Sequence, residues 1–573
     1  MKRSRSVLAM AACVALAASQ AVDGKAKPLI GVYYFPGWHI KPPIKPLCPG
    51  GPPENVGEWR YAIMRAAKPR PLCGFYDDSD PRLWTYYIDW MTSHGIDFIA
   101  FDWYYNDKQQ FLYEALDRGL LESAERDRIK FCLHWCNHGG NWWHKPLNQS
   151  KAALVEMMDE VCHRYFHHSN YLKIYDRPVF IIYDIETLLG FGGPNGVRES
   201  LKAMRAVAKK HGFGGLYLVA CYSSNSSAYV RMLKDLGFDA FCAYTYSWMR
   251  PPNIAWNSKS CPYRDVVDLA CNDLYPFLQR IGGRCGIPYW PTTFPSWDDR
   301  PRAGLERAFV LTDNAPEEFG RMFRSALAHV NPSSPVVMVE AWNEWGEGAH
   351  IEPSKEHAFG YLKEIASALG LSPAKPSTPS ADEILSWSIL SQDEIKTAQD
   401  NESKPWPFKP PVRVKIAASY DAPDAQMPVV LDLTESGLSA EKLILSGVDV
   451  KNRTREGSIF LTTDHDPQII FPPIRVPARQ VGRITIEAKI LEKSSANAPE
   501  PVLDLYWQTG LIPEFTPYCS VKLPPSPEGK ITMPTDEIMA WLSGGTPITR
   551  LRLDLGEAPG YTFVVKMVIL SPN

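Results

Sequence analysis

The sequence predicts an α/β protein in which a (β/α)8 TIM-type barrel is followed by a C-terminal all-β sandwich domain. Two observations lead to this fold class. Up to about residue 370, apolar runs rich in β-branched and aromatic residues alternate with amphipathic helical segments, as in parallel sheets covered by helices. After about residue 411, short runs alternate apolar and polar residues between turn residues, as in β-sandwiches.

Eight apolar runs are the predicted barrel strands. They cover residues 29–35, 97–103, 129–135, 178–184, 216–222, 239–246, 286–294 and 335–345. The helical segments include residues 81–94, 151–167, 196–211, 229–236, 263–281 and 317–330. The alternative is a doubly wound open sheet. The barrel is favoured because no glycine-rich phosphate loop follows the first run, where the chain reads Tyr34-Phe35-Pro36-Gly37-Trp38.

The chain divides into four predicted parts. Residues 1–21 resemble a signal peptide, because basic residues precede a short apolar run and a stretch of small residues. We therefore expect an exported protein, periplasmic or extracellular after cleavage; the alternative is a buried N-terminal helix. The remaining parts are the barrel (29–370), a proline- and serine-rich linker (372–411) with one short helix near 382–397, and the sandwich (412–573).

The composition argues against several classes of protein. A net charge of −3 without a basic stripe disfavours nucleic-acid binding, and no apolar run is long enough to cross a bilayer. We expect no metal and no organic cofactor. The alternative is a metal site at Cys132, His134 and Cys136, although no second cysteine or histidine pair stands at zinc-site spacing. The sequence predicts neither disulfide pairs nor the oligomeric state.

Polar and aromatic side chains close most of the predicted strands. In a (β/α)8 barrel the carboxyl ends of the strands form the active site. Sugars need aromatic faces for stacking and polar groups for hydrogen bonds to their hydroxyls, so these strand ends predict a cleft for a glycan substrate. The candidate substrate-binding residues are Tyr34, Trp38, Asp102, Trp103, Tyr104, His134, Trp135, Asn137, Tyr183, Asp184, Tyr244, Trp297, Asp298, Arg300 and Asn343.

The candidate catalytic residues are Glu344 and Glu347, in the segment VEAWNEWGEG at the end of the eighth predicted strand. Glycosidic cleavage needs two carboxyl groups, one to protonate the departing oxygen and one to act as base or nucleophile. Gly346 and Gly348 permit backbone angles that let the loop fold back. The alternative is that both acids are loop charges or partners of arginines.

Several candidates have a second interpretation. Asp102 either bonds a sugar hydroxyl or acts as a cap or a partner of Arg300. His134 either contacts the glycan or is a strand-end histidine with its own protein partners. Glu340 lies within the last strand and is expected to be a buried acid with its hydrogen bonds satisfied rather than a catalyst.

The region after the seventh strand carries two arginines with open roles. Asp298 and Arg300 are expected to form an ion pair that shapes the rim of the cleft, with direct substrate contact as the alternative. Arg300 and Arg302 suit an anionic group on the sugar, or they pair with protein carboxylates.

The sandwich is either a carbohydrate-binding module or a structural domain that covers the barrel. Tyr506, Trp507 and Trp541 are the residues that could supply stacking faces for a glycan.

Five segments of the barrel region resemble a known family. They read GVYYFPGWH (31–39), GFYDDSDP (74–81), GIDFIAFDWY (95–104), WDDRPR (297–302) and WNEWGEG (342–348). In these segments the chain is similar to the WbsX-like family, also called glycoside hydrolase family 99-like. It is more distantly similar to family 99 itself, which comprises endo-α-mannosidases and endomannanases.

The resemblance implies a glycoside hydrolase that cleaves a polysaccharide or oligosaccharide with retention. By analogy with family 99, Glu344 would remove a proton from the sugar 2-hydroxyl to give an anhydro-sugar, and Glu347 would act as general acid and then base. A WbsX-type glycosyltransferase is one alternative, although the sequence lacks a diphosphate cradle and a metal-binding acidic motif. A non-catalytic glycan-binding protein is the other.

Overall fold

The computed structural model describes most of the chain. The described residues are 27–39, 57–138, 147–222, 226–247, 249–251, 253–255, 257–413, 425–495, 498, 501–510, 512–523, 526, 528–543 and 547–572. The predicted signal peptide lies outside these ranges.

The N-terminal region is a barrel of parallel strands. The strands are β1 (Leu29–Tyr34), β2 (Phe98–Asn106), β3 (Lys130–Trp135), β4 (Arg177–Ile182), β5 (Tyr217–Cys221), β6 (Ala240–Cys242), β7 (Thr292–Thr293) and β8 (Val336–Val339). Their order in the sheet is β7-β8-β1-β2-β3-β4-β5-β6. Between β6 and β7 the backbone around Phe241 closes the circle, since its N–H donates to the Pro288 carbonyl at 3.0 Å and its carbonyl accepts from Trp290 at 2.9 Å.

Helices cover the outside of the barrel. They are α1 (Glu58–Met64), α2 (Pro81–Ser93), α3 (Lys151–Val161), α4 (Ile185–Leu189), α5 (Gly193–Lys210), α6 (Ser227–Leu236), α7 (Tyr263–Leu269), α8 (Tyr275–Cys285), α9 (Arg300–Ala303), α10 (Pro316–Ala328) and α11 (Gly360–Ala368). α2 begins where the Asp80 carboxylate accepts from the Arg82 N–H at 2.9 Å, a typical N-cap. The sequence predicts a single helix over 263–281. In the structure, a π-helical turn, Ala270–Leu274, divides this segment into α7 and α8.

The predicted linker is ordered and contains two helices rather than one. They are α12 (Ala381–Trp387) and α13 (Gln392–Glu402), and each begins with a capping box, at Ser380 and at Ser391. The second cap restarts the helix, which explains why the expected single helix is divided. The segment packs on the barrel, where Trp387 donates to the Cys73 carbonyl at 2.9 Å.

The C-terminal region consists of two antiparallel sheets. The strands are β9 (Val429–Asp432), β10 (Ile444–Ser446), β11 (Val448–Thr454), β12 (Gly457–Thr462), β13 (Gln468–Ile470), β14 (Arg483–Glu492), β15 (Leu503–Thr509), β16 (Ser520–Leu523), β17 (Lys530–Pro534), β18 (Ile548–Leu555) and β19 (Thr562–Ser571). One sheet has the order β11-β12-β19-β14-β17 with β9 beside β19, and the other has the order β10-β13-β18-β15-β16. The barrel and the antiparallel sheets together confirm the predicted fold class.

Two of the three proposed stacking residues belong to the core of the sandwich. Trp507 and Trp541 are fully buried, and their rings pack 5.0 Å apart. The prediction that they could stack on a glycan is wrong, because along β15 the side chains alternate and Trp507 points inward. Tyr506, next to it, lies on the outer face. None of the helices in the described ranges is both long and apolar enough to cross a membrane.

Candidate active site

Inward-facing side chains from four segments meet at the carboxyl ends of the strands. Asp102 of β2 and His134 of β3 are joined by a hydrogen bond of 2.8 Å between Oδ1 and Nδ1. The hydroxyl of Tyr244, which follows β6, lies 3.2 Å from both Asp102 Oδ2 and Glu344 Oε1, and its single proton is shared between these two acceptors. A continuous chain of polar contacts therefore runs from His134 to Glu344.

The sequence predicts Glu344 at the end of the eighth strand, but in the structure Glu344 lies beyond that strand. β8 ends at Val339, and the chain then forms a separate two-stranded hairpin in which Asn343–Glu344 pairs with Ala349–His350. The Asn343 side chain fixes this hairpin to the end of β1, because its amide accepts from the Phe35 N–H and donates to the Phe35 carbonyl, both at 2.9 Å. Asn343 is thus used by the protein itself and is not free for a sugar.

Arg302 holds both candidate catalytic glutamates. Its Nη2 lies 3.2 Å from Glu344 Oε2, and its Nη1 lies 2.8 Å from Glu347 Oε1. A Cβ atom at position 346 would lie 2.6 Å from Arg302 Nε, so Gly346 allows the guanidinium to approach the hairpin. Of the two roles proposed for Arg302, the structure shows the contact with protein carboxylates.

One arginine cannot neutralise two buried carboxylates. Burial, and then the charge of Glu344, raises the pKa of Glu347 to about 8, although Arg302 opposes the shift. Burial also raises the pKa of Glu344, against Arg302 and the hydrogen bond from Tyr244. The pair is therefore expected to hold a proton at neutral pH, and Glu347 is the better carrier because the charge of Glu344 adds to burial in raising its pKa.

Further acids surround the pair. Burial raises the pKa of Asp102 well above its ordinary value and raises that of Glu58, a residue of α1. Glu340 is fully buried at the foot of the hairpin, and neither carboxyl oxygen has a hydrogen bond among the described residues. Burial, followed by the charges of Glu347 and Glu344, raises the Glu340 pKa well above its ordinary value. Glu340 is buried as expected; the Thr245 side chain opposes the rise in its pKa but leaves most of the hydrogen-bonding capacity of the carboxyl group unused.

His134 is neutral, and the described residues leave one of its ring nitrogens without a hydrogen bond. Burial lowers its pKa to about 3, and its Nε2 has no hydrogen-bond partner within the part of the chain described. Its ring is surrounded by those of Tyr33 at 4.9 Å, Tyr183 at 5.5 Å and Tyr244 at 5.8 Å. A buried polar atom without a partner is costly, so this nitrogen is a natural contact for a ligand or a water molecule.

The structure brings six of the predicted residues together. These are Asp102, His134, Tyr183, Tyr244, Glu344 and Glu347. Tyr104 also belongs nearby, since the charges of Cys136, Asp102 and Glu344 add to the effect of burial in raising its pKa. Asp102, Glu344, Glu347 and Arg302 are called the mouth cluster below.

Four aromatic candidates lie outside the mouth cluster. Tyr34 packs in the core against Trp84, 4.9 Å away. Trp103 stacks on Tyr105 at 5.1 Å, and Trp135 donates to the Tyr105 carbonyl at 3.3 Å. Trp38 stacks 4.2 Å from Trp59. Tyr34, Trp103 and Trp135 lie outside the cluster because side chains along a strand alternate between its two faces, and these three point towards the helices. For β1 it is Tyr33, not Tyr34, that faces the interior.

Asn137 and Asp184 connect two strand ends. The Asn137 amide accepts from the Asp184 N–H at 2.7 Å and donates to the Asp184 carbonyl at 2.8 Å. The Asp184 carboxylate caps α4 by accepting from the Thr187 N–H at 2.8 Å. Both side chains are used to position the backbone, so the structure does not show them facing the glutamates.

Trp297, Asp298 and Arg300 line a cavity of about 310 Å³, whose lining also includes Trp345 and His350 of the hairpin segment. Arg300 Nε donates to Asp298 Oδ1 at 2.7 Å, and the guanidinium lies 4.6 Å over the Trp406 ring. The expected ion pair is present. It faces the linker and not the mouth cluster.

Among the described residues, two groups of side chains have ligand atoms close enough for a metal ion. One is Asp102, His134 and Cys136, and the other is the exposed group Asp159, His163 and His211. In the first, His134 Nδ1 already bonds Asp102, which leaves that nitrogen without a lone pair for a metal in the neutral ring. The expectation that no metal is needed stays a prediction.

Comparison with known proteins places the barrel region in a family. A family profile described as glycosyltransferase WbsX matches residues 65–365. The uncharacterized protein WxcX of Xanthomonas campestris pv. campestris is 23% identical over an alignment 351 residues long, which covers 57% of this chain and 47% of that protein. The chain thus spans about half the length of this curated relative.

Solved structures with a similar barrel have low sequence identity. A GH99 endo-alpha-mannosidase from Bacteroides thetaiotaomicron is 15% identical with a TM-score of 0.44, covering 60% of this chain and 96% of that one. A structure described as a glycoside hydrolase-like protein is 16% identical with the same TM-score, covering 60% and 94%. On the match of the family profile to more than half of its residues, the chain belongs to the family described as glycosyltransferase WbsX.

Proposed function

We propose that this protein hydrolyses glycosidic bonds in a polysaccharide or oligosaccharide, with Glu344 and Glu347 as the catalytic residues. The observation that supports this most directly is the buried carboxyl pair held on one guanidinium at the barrel mouth. Hydrolysis of a glycoside needs one protonated and one ionised carboxyl group, and the expected single proton on this pair supplies both forms.

The electrostatics favour one assignment of roles. Glu347, with a pKa raised to about 8, is protonated at neutral pH and would give its proton to the departing glycosidic oxygen. Glu344, which accepts from Tyr244 and contacts Arg302, would be the ionised base. In the family 99 type of reaction, Glu344 takes the 2-hydroxyl proton while O2 attacks C1, and an anhydro-sugar forms.

The second half of the reaction reverses the protons. Glu347, now ionised, takes a proton from water, the hydroxide oxygen bonds to C1, and the C1–O2 bond breaks. O2 recovers its proton from Glu344, so both glutamates return to their starting forms and the product keeps its anomeric configuration. Tyr244 would position Glu344, and Asp102 would orient Tyr244 and His134.

Glycosyl transfer is the second candidate because of the description that the family carries. A transferase would use the same acid and base but a different acceptor, so the mouth cluster alone does not separate the two reactions. Release of reducing ends in water, without a nucleotide-sugar, favours hydrolysis. Sugar transfer from nucleotide-sugars to an acceptor glycan, with no product in water alone, would contradict it.

The test is a screen of the purified protein against mannose-, rhamnose- and fucose-containing polysaccharides, with Glu344→Gln and Glu347→Gln beside the wild type. Glu356→Gln is the matched control, because Glu356 is exposed and pairs with Arg70 at the surface. Loss of reducing-end release in the first two variants only, with unchanged circular dichroism, supports the proposal. Equal activity in all four proteins would contradict the assignment.

We also propose that the protein is exported, on the basis of the sequence of residues 1–21. N-terminal sequencing of the protein isolated from its native cells tests this. A mature chain that begins near residue 22 supports export, and an intact first residue contradicts it.

A further inference from the structure

The outer face of one sandwich sheet carries a row of polar residues. Strand pairing places Lys522 of β16, Asp504 of β15, Asp554 of β18 and Gln468 of β13 directly beside one another, on four neighbouring strands. We call these four residues the sandwich row. On β15 and on β18, the adjacent residues in the sequence point into the hydrophobic core.

Two members of the row carry the same charge and face each other. Asp504 and Asp554 are cross-strand partners, and like charges in this position destabilise a sheet. Each has one carboxyl oxygen that is buried and without a hydrogen bond among the described residues. Burial raises the pKa of Asp504 to about 7 and that of Asp554 to about 6. An unfavourable pair with unused acceptors indicates a site that a ligand completes.

An arginine and an aromatic ring lie beside the acid pair. The guanidinium of Arg552 lies 4.0 Å over the ring of Tyr506, its cross-strand partner, and 5.3 Å from the ring of Phe515. It donates to Asp554 Oδ2 at 2.7 Å, and its buried Nε has no acceptor in the described ranges. The face thus offers unused acceptors, an unused donor and an aromatic surface within two adjacent rows.

The sandwich row begins at the barrel mouth. Lys522 Nζ binds Glu186 Oε1 at 2.6 Å, and the same oxygen accepts from the Tyr222 hydroxyl at 3.3 Å. Glu186 is in the first turn of α4, which follows β4, and Tyr222 directly follows β5. A chain leaving the mouth between β4 and β5 would therefore pass onto this sheet.

We propose that the outer face around the sandwich row binds the part of the glycan that extends from the barrel mouth. This inference rests on the proposed function of the barrel. Asp504 and Asp554 would accept hydrogen bonds from sugar hydroxyls, Arg552 Nε would donate to a ring or hydroxyl oxygen, and Tyr506 would contact a sugar face. A divalent cation fits less well, because the positive charges of Lys522 and Arg552 lie beside the two acids and would repel it.

Affinity electrophoresis of the full-length protein in gels containing yeast mannan, a rhamnan or a fucoidan tests the inference. All proteins carry Glu344→Gln, so that no probe is cleaved during the run. We expect Asp504→Asn and Asp554→Asn each to bind about tenfold more weakly, the loss expected for one hydrogen bond to a charged group. The matched control is Asp449→Asn on β11 of the opposite sheet, an exposed acid paired with Lys451 at 3.3 Å.

The outcomes separate this inference from the function of the barrel. Binding that Asp504→Asn and Asp554→Asn leave equal to the control overturns the inference, even if the wild type cleaves the same polymer. Binding that these variants weaken supports it, even if the wild type cleaves nothing, in which case the proposed hydrolase is wrong. Failure of every probe to retard the protein overturns it as well.

Discussion

The barrel mouth and the outer face of the sandwich both place carboxyl groups where water is largely excluded, but their charges differ. In the mouth cluster, three acids share Arg302. In the sandwich, each acid has a cation beside it, Lys522 for Asp504 and Arg552 for Asp554, although Lys522 also pairs with Glu186. Several buried acids around one cation keep a proton at neutral pH, which suits proton transfer. Acids that each have a cation beside them keep acceptors available for hydroxyl groups, which suits binding.

The largest expected effect comes from removing the cation of the mouth cluster. Arg302→Met is expected to lower kcat about a hundredfold, because two buried carboxyl groups then lose their shared donor. The same change raises the pKa of both glutamates. Since Glu347 acts in its protonated form, the wild type should lose activity as the pH rises through about 8, and the variant should lose it at a higher pH.

The pH profile of kcat/KM for both proteins measures this. Arg300→Met is the control, because Arg300 binds Asp298 and the linker rather than the glutamates. A profile for Arg302→Met whose alkaline limb lies at the wild-type position would contradict the shared-proton account.

A smaller effect is expected from Tyr244→Phe. This change removes the shared hydroxyl proton that connects Glu344 to Asp102, so we expect kcat to fall about tenfold with little change in KM. The control is Tyr246→Phe, which removes a buried hydroxyl contact of 3.1 Å with Tyr289. Steady-state kinetics on the polymer found in the screen measure both, and equal losses would show that Tyr244 has only a structural role.

The smallest effect concerns stability, and here the substitution is expected to stabilise the protein rather than to impair it. The pKa of Asp504 is raised to about 7 in the fold, so its ionised form destabilises the protein, and this loss grows as the pH rises from about 4 through 7. Asp504→Asn should therefore raise Tm at pH 8 and leave it nearly unchanged near pH 4. Thermal unfolding at both pH values measures this; a lower Tm at pH 8 would show that Asp504 stabilises the sheet.

The sequence was most informative where periodicity or a compact motif carries the information. Eight apolar runs predicted the barrel, and the spacing of Glu344 and Glu347 identified the carboxyl pair. It was least informative about which of two neighbouring residues faces inward. Tyr33 and Tyr34 are both aromatic and both fully buried, so only the register of β1 separates them.

Contacts between distant segments could not be predicted either. Arg302 and Arg300 are two residues apart, yet one holds the glutamates and the other binds the linker through Trp406. Glu58 comes from α1, for which no strand end or motif gave a signal. In the sandwich, Asp504 faces Asp554 because of the register between β15 and β18. These strands are far apart in the sequence, so turn residues do not fix that register.

The most direct test of the central claim compares leaving groups. Glycosides of the released sugar are prepared with a dinitrophenyl group, which departs without protonation, and with a methyl group, which needs an acid. If Glu347 is the acid and Glu344 the base, Glu347→Gln releases dinitrophenol in its first turnover at close to the wild-type rate but does not cleave the methyl glycoside, whereas Glu344→Gln does neither. Equal losses for the two variants on both substrates would contradict the assignment of roles.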